Sequence, residues 1–248
     1  MPADSTDVIS LATARGKLVI VSHEHKFIFL KTRKTAGTSI ELALRQLCGE
    51  NDIIAPLLED CDGAVSTGRG PQNWRVHGWW QSSRPLFRRS WSSVKPQDYG
   101  FYNHVPAEHA RALLNDDKVW RNYFKFAFDR NPWDRQVSSY HFRYRRWNRP
   151  PAFSSYMRGR SRPFVKNYQI YSLNGDVCVD FVGRYEDLDG DFKRALAQIG
   201  LSFDKELPRA KAGFRPTRLH YREYYDDETR GLVGDWYKPE IALLQYEF

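Results

Sequence analysis

Two short polar segments of the chain carry residue types suited to holding anions. The first is Lys31-Thr-Arg-Lys-Thr-Ala-Gly-Thr-Ser39. Small residues at Ala36 and Gly37 leave room for a phosphate to approach the backbone. A helix following the segment would offer its unbonded N–H groups and the positive end of its dipole. Thr35, Thr38 and Ser39 add hydroxyls, and Lys34 adds a mobile charge. The same pattern also suits a plain strand-to-helix turn with hydroxyl caps. The second segment is Phe128-Asp-Arg-Asn-Pro-Trp-Asp-Arg-Gln-Val-Ser138. Arg130 has the forked guanidinium that grips an anion with two hydrogen bonds, and Ser138 follows two helical turns later. Singly, Arg130 could equally pair with Asp134, and Ser138 could equally be a helix-packing contact.

These segments need elements to aim them. Lys17–Val21 and Phe27–Leu30 are short β-branched or aromatic runs that read as a hairpin or as successive strands. Ile40–Cys48 has apolar residues at helical spacing. Pro106–Leu114 reads as a helix with proline in its first turn. Tyr123–Phe128 reads as a strand, and Asp134 to about Arg146 as the helix after it. Val177–Arg184 reads as a third strand, Leu188–Ile199 as an amphipathic helix ended by Gly200, and Asp226–Leu244 as a helix pair broken near Pro239. Strands alternating with helices imply an α/β fold with a mainly parallel central sheet and helices on both faces. The two anion segments then lie beyond the carboxyl ends of strands, where open α/β sheets bind ligands. Residues 51–99 and 147–175 show little periodicity and read as irregular insertions into a single domain spanning residues 1–248.

Composition bounds the chemistry. The 248 residues carry a net charge of +8, 41% hydrophobic and 15% aromatic residues, which suits a folded domain with anionic partners. The three cysteines, Cys48, Cys61 and Cys178, have the spacing of neither a disulfide framework nor a zinc site, so they read as thiols of a reducing compartment. No signal-like or membrane-spanning apolar run is seen, and a cytoplasmic location is expected. The first segment is not the phosphate loop of nucleotide triphosphatases, because Lys34 precedes its only glycine. No evident magnesium-binding acid follows a strand. That order argues against the alternative of an ATP-dependent kinase or phosphoryl transferase. A non-catalytic nucleic-acid-binding protein is the other alternative, but none of the usual recognition motifs is present.

Together the segments resemble the sulfotransferases that use 3′-phosphoadenosine-5′-phosphosulfate (PAPS), and more narrowly the branch containing bacterial and carbohydrate sulfotransferases. There the first loop usually reads Pro-Lys-Thr-[Ala/Gly]-Gly-Thr-Ser, and Arg33-Lys-Thr-Ala-Gly-Thr-Ser39 departs only in having Arg33 for proline. The second usually reads Arg-[Asn/Asp]-Pro-[Trp/Tyr]-[Asp/Glu]-Arg with a later serine, as in Arg130–Arg135 and Ser138. Asn103-His-Val-Pro106, Val182-Gly-Arg-Tyr-Glu-Asp-Leu188, and the stretches Tyr224–Arg230 and Tyr246–Phe248 are also similar. The likeness skips about 51–99 and 147–175.

The resemblance implies a P-loop-like sulfotransferase fold and a role for each matching position. Arg33, Lys34, Thr35, Ala36, Gly37, Thr38 and Ser39 would hold the 5′-phosphosulfate. Lys34 would stabilise charge on the leaving oxygen. Arg130 and Ser138 would hold the 3′-phosphate. His104 would be the base and His77 the second choice for it. PAPS would enter and PAP leave, with no metal. The acceptor would be a hydroxyl, expected to belong to a carbohydrate or glycoconjugate, with no nucleic-acid partner. His77, Trp79 and Arg146 are the acceptor-binding candidates, among tryptophans and arginines in the insertions that suit an acidic glycan but equally a satellite core. Arg184 and Glu186 could form an ion pair that shapes the site, and the run Arg209, Lys211, Arg215 and Arg218 could close over the 3′-phosphate.

Overall fold

A computed structural model of the chain describes residues 19–55, 68–75, 101, 104–159, 164–208 and 219–248. β1 (Val19–Ser22) and β2 (Phe27–Leu30) form an antiparallel hairpin. Their connection is too short for anything else, since a parallel return needs a long crossover. β3 (Ile53–Ile54) adds to the outer side of β1, again antiparallel. β4 (Phe124–Asp129) pairs with β2 in parallel, after α1 (Gly37–Leu44), α2 (Ala107–Leu114) and α3 (Asp117–Asn122). α4 (Pro132–Arg143) and α5 (Phe153–Arg158) follow. α6 (Tyr168–Tyr171), β5 (Ser172–Leu173) and β6 (Asp176–Val177) then lead to β7 (Phe181–Arg184), which lies parallel to β4.

The sheet order is β3-β1-β2-β4-β7. It is therefore a mixed sheet, parallel at the two pairings β2–β4 and β4–β7 and antiparallel at the two pairings β1–β2 and β1–β3. This corrects the expectation of a mainly parallel sheet: the hairpin turn reverses the chain before the first crossover begins. The parallel half is the half that carries the polar loops.

Both faces of the sheet are covered, which explains why its strands read as near-continuous apolar runs. Val19, Val21, Ile28, Leu30 and Ala127 face Ala107, Ala110, Leu113, Trp120, Ile170 and Tyr171 from α2, α3 and α6. The alternate residues Ile20, Phe27, Phe29, Phe126 and Phe128 face Ile40, Ala43 and Leu44 of α1 and Phe192, Ala195 and Leu196 of α7 (Leu188–Ala197). The period of two is the pleat expressed as two cores. A third, aromatic-rich cluster joins Trp133, Val137 and Tyr140 of α4 to Phe153, Tyr156, Val233, Tyr237 and Tyr246. Its helices include α8 (Asp227–Trp236) and α9 (Lys238–Leu244).

Local signals account for the remaining differences from expectation. Val177–Arg184 is not one strand. Asn174 and Gly175, both at positive φ, turn β5 back onto β6 as a small separate sheet, and only Phe181–Arg184 joins the main one. The last helix pair breaks at Tyr237, with Pro239 inside the first turn of α9, where its missing N–H costs nothing. α5 occupies part of the stretch that reads as irregular. Gly200 has φ +70 and ends the turn after α7. Among the described residues, no helix is long and apolar enough to cross a membrane.

Candidate active site

β2, β4 and β7 lie side by side in parallel, so the chain leaves all three at the same edge of the sheet. The first loop leaves β2 at Lys31. Lys34 and Ala36 both sit in the left-handed region, with φ 64 and 54. For residues with a Cβ that costs on the order of 1–2 kcal/mol each, so the surroundings must hold the loop in shape. Three sets of bonds do so. Thr32 donates its hydroxyl to the carbonyl of Phe128, and Thr35 is bonded to Thr32 at 2.7 Å, tying the loop to the adjacent strand. The backbone N–H and C=O of Arg33 both bond the side chain of Asn167. Lys31 turns under the loop, where its buried ammonium donates to Thr38 Oγ1 at 3.2 Å and Glu41 at 3.0 Å. Its stem fills the space over Gly37, where an added Cβ would come within 2.7 Å of Lys31 Cγ. Gly37 is thus required by the packing of Lys31, a reason additional to phosphate access.

α1 begins at Gly37 with Ala36 as its cap, whose methyl cannot accept from the first amides, and the Ser39 N–H turns back to the Ala36 carbonyl at 2.8 Å. An uncapped helix start at a strand end offers N–H donors and a partial positive charge to an anion. Glu41, fully buried, neutralises Lys31 and also pairs with Arg45 at 2.6 Å.

The second loop starts from Asp129, the last residue of β4. Asn131 caps α4, accepting from the N–H groups of Trp133 and Asp134, with Pro132 as the first helical residue. Arg130 pairs with Asp134 through Nε at 2.9 Å and Nη2 at 2.6 Å, and Nη1 donates to the carbonyl of Lys34 at 3.3 Å. Its guanidinium also stacks over Tyr185, just past β7, at 4.0 Å. Arg130 therefore joins all three strand ends. These bonds engage one hydrogen on each nitrogen, and each terminal nitrogen keeps a second. The pairing with Asp134 that the spacing allowed is thus real, and it orients the fork instead of consuming it.

α4 presents a single stripe toward the first loop. Asp134 meets Arg130, and four-residue spacing carries the stripe through Ser138 to Phe142, whose ring lies 4.0 Å from Lys34 Nζ. Ser138, half-buried, lies between these two contacts on the same face. His104 approaches from the start of α2. It has φ 56, and its Nδ1 bonds the carbonyl of Lys31 at 2.9 Å. A carbonyl only accepts, so Nδ1 carries the proton and a neutral ring keeps its lone pair on Nε2.

Lys34, His104, Arg130, Ser138 and residues 33–39 therefore converge. Arg146 is exposed beyond the end of α4. His77, Trp79, Trp80, Trp91, Arg84, Arg88, Arg89 and the run Arg209–Arg218 lie outside the described residues. Trp74 packs against the first core, which is a structural role. Arg184 and Glu186 do not pair with each other: Arg184 is exposed and bonds the Leu244 carbonyl, while Glu186 accepts from the Asn131 N–H at 2.8 Å and from Tyr246. Burial, with the Glu186 carboxylate beside it, drives the Tyr246 phenol well above its ordinary pKa. His141 bonds the Tyr224 hydroxyl at 2.9 Å. Cys48 and Cys178 are free thiols whose pKa values burial raises to about 12 and about 11, so neither is a ready nucleophile.

The residues that sequence reasoning missed are the buried ones behind the loops. Asp129 does end a strand, as a metal-binding acid would, but its carboxylate accepts from Arg135 at 2.5 Å, Asn167 at 2.9 Å, Tyr171 at 2.7 Å and the Arg130 N–H at 2.8 Å. Arg135 is wholly buried and also reaches Glu240 at 3.1 Å. Burial works against its charge, yet the two carboxylates prevail and hold its pKa above the ordinary value. Lys31, Glu41 and Asn167 complete this layer. A lysine or glutamate in sequence signals surface, and only the tertiary partners show otherwise.

A protein from Archaeoglobus fulgidus, described as uncharacterized, is 35% identical over 95 residues, covering 34% of this chain and 73% of its own length. No solved structure gives a significant match. The model of the sulfotransferase family matches residues 17–247, spanning β1 to the last residues of the chain and both polar loops. The chain belongs to the sulfotransferase family.

Proposed function

We propose that this sulfotransferase takes its sulfuryl group from PAPS and passes it to a hydroxyl of a carbohydrate or glycoconjugate, releasing PAP. The observation that carries this reading is the junction at Arg130. One guanidinium joins the loop ahead of α1 to the loop leading into Ser138, which supports reading the two loops as one site. PAPS is a donor with anionic groups at two separated positions. In this reading the amides at the start of α1 and the loop around Lys34 hold the 5′-phosphosulfate, while Arg130 and Ser138 hold the 3′-phosphate.

The transfer follows from the same groups. The acceptor oxygen attacks sulfur as its proton passes to His104 Nε2. The bond between sulfur and the bridging oxygen breaks, and that oxygen leaves with PAP. Negative charge grows on it in the transition state, and Lys34 is the mobile cation able to meet it there. The sulfuryl group carries less charge than a terminal phosphate, so a lysine and fixed dipoles can suffice. The unbridged thiols Cys48 and Cys178 suit a reducing, cytoplasmic setting.

The test is calorimetric titration with PAP beside ADP and ATP, with and without magnesium. Metal-independent PAP binding with much weaker ADP supports the donor assignment, whereas a preference for ATP with magnesium overturns it in favour of a kinase. His104→Ala is expected to abolish transfer while PAP binding persists; normal transfer would pass the base's role to His77.

A further inference from the structure

Arg33 has an exposed side chain, but its backbone is gripped on both sides by one buried side chain. Asn167, just before α6, is 0% exposed. Its Oδ1 accepts from the Arg33 N–H at 2.9 Å, and its Nδ2 donates to the Arg33 carbonyl at 3.0 Å and to Asp129 Oδ1 at 2.9 Å. These partners fix the amide's orientation, since an N–H needs an acceptor and two carbonyl-type oxygens need donors. The next residue is Lys34, held at φ 64. On its far side Asn167 meets Asp129, which is bonded by Arg135 and Tyr171 and by the N–H of Arg130. One side chain thus bolts the first loop to the charge cluster under the second. The loops this segment resembles usually have proline where this chain has Arg33. A proline stiffens through its ring and has no N–H. Here the N–H is present, and Asn167 takes it.

We infer that Asn167 is a positioning residue that holds the Lys34 loop in its ligand-ready shape through the backbone of Arg33, substituting a hydrogen-bonded clamp for a stiff ring. The inference rests on the donor-loop reading above, so its test has an arm independent of any ligand.

The experiment uses the full chain with Asn167→Ala and the isosteric Asn167→Asp, and reads amide hydrogen exchange at Arg33 alongside PAP affinity by calorimetry. In Asn167→Ala the Arg33 amide is expected to exchange at least about tenfold faster, with core-strand amides unchanged, and both variants, Asp lacking only the donor half of the clamp, are expected to bind PAP about tenfold more weakly. Asn167→Asp supplies a pH signature. Its second oxygen would face the Arg33 carbonyl and Asp129, the latter flanked by Arg135, Tyr171 and, through Arg135, Glu240. Burial and the neighbouring carboxylate favour the protonated form, which can donate again. Its PAP affinity relative to wild type should therefore recover about threefold or more from pH 8 to pH 6, while that of Asn167→Ala stays flat. Unchanged Arg33 exchange in Asn167→Ala overturns the inference, as does faster exchange with wild-type PAP affinity, or a flat ratio for Asn167→Asp. Should Asn167→Ala fail to fold, the isosteric variant decides alone, by its PAP affinity and its pH ratio. If wild type binds no PAP, the donor reading fails and Arg33 exchange by itself upholds or overturns the clamp.

Discussion

The two ends of α4 use the same residue type in opposite ways. At its start, Arg130 and Arg135 are buried and bonded into a layer of fixed partners. At and past its end, Arg143, Arg146 and Arg149 are exposed, and Trp147 beside them is 60% exposed. A buried cation left without its counter-charge is strongly destabilising, so its partners fix where it sits. An exposed cation keeps its water and its rotamers and can adapt to what arrives. The difference fits a site with one invariant ligand, the donor, and one more variable ligand, the acceptor. Lys34 lies toward the outer end, half-buried against Phe142 in the last turn of the same helix.

Substitutions at successive points along this gradient can break the comparison. The largest effect is expected at Arg135. Arg135→Met keeps the bulk but leaves Asp129 and Glu240 buried without their cation, at a cost of about 3–5 kcal/mol in denaturant unfolding. A loss below about 1 kcal/mol would mean the buried layer does not hold the site. Lys34→Ala comes next. Turnover is expected to fall about 10²–10³-fold with PAP affinity nearly kept, as when a donor to a developing oxyanion is removed. Wild-type turnover would remove Lys34 from the chemistry. Arg130→Ala should weaken PAP by about 1.5–3 kcal/mol, the worth of a hydrogen bond to a charged group, and weaken an analogue lacking the 3′-phosphate far less. Equal losses for both ligands would show that Arg130 serves only to join the loops.

Much of this gradient was legible in the sequence, and its buried part was not. The hairpin, β4, α4 and α7 follow from period-two or helical spacing and from proline and glycine at the ends. Both loops follow from hydroxyl, lysine and arginine residues placed between such elements. What escaped is what tertiary contact alone decides. Lys31, Glu41, Arg135 and Glu240 have the residue types of surface positions, and burial becomes tolerable only because each finds its partner across the fold. Asn167 lies in a stretch without periodicity, and nothing local distinguishes it from a loop asparagine. The split of Val177–Arg184 was readable in principle, since Asn174-Gly175 is a strong hairpin signal that the apolar run after it outweighed.

The smallest effect is expected at the open end of the helix, and it sharpens the comparison most directly. Arg146 is exposed, and neutralising a surface charge should leave stability and PAP affinity near wild-type values. If the region receives an anionic acceptor, Arg146→Ala should raise the acceptor KM by roughly 1.4- to fivefold, equivalent to about 0.2–1 kcal/mol, with kcat kept and the effect shrinking as salt is added. Salt dependence is the discriminating readout, because a solvated charge acts through its field and a buried one through its bonds. An acceptor KM indifferent to both the substitution and the salt would place acceptor binding elsewhere. A drop in PAP affinity would show that the outer end of α4 belongs to the donor site after all, and the division of the helix into fixed and adaptable halves would fail.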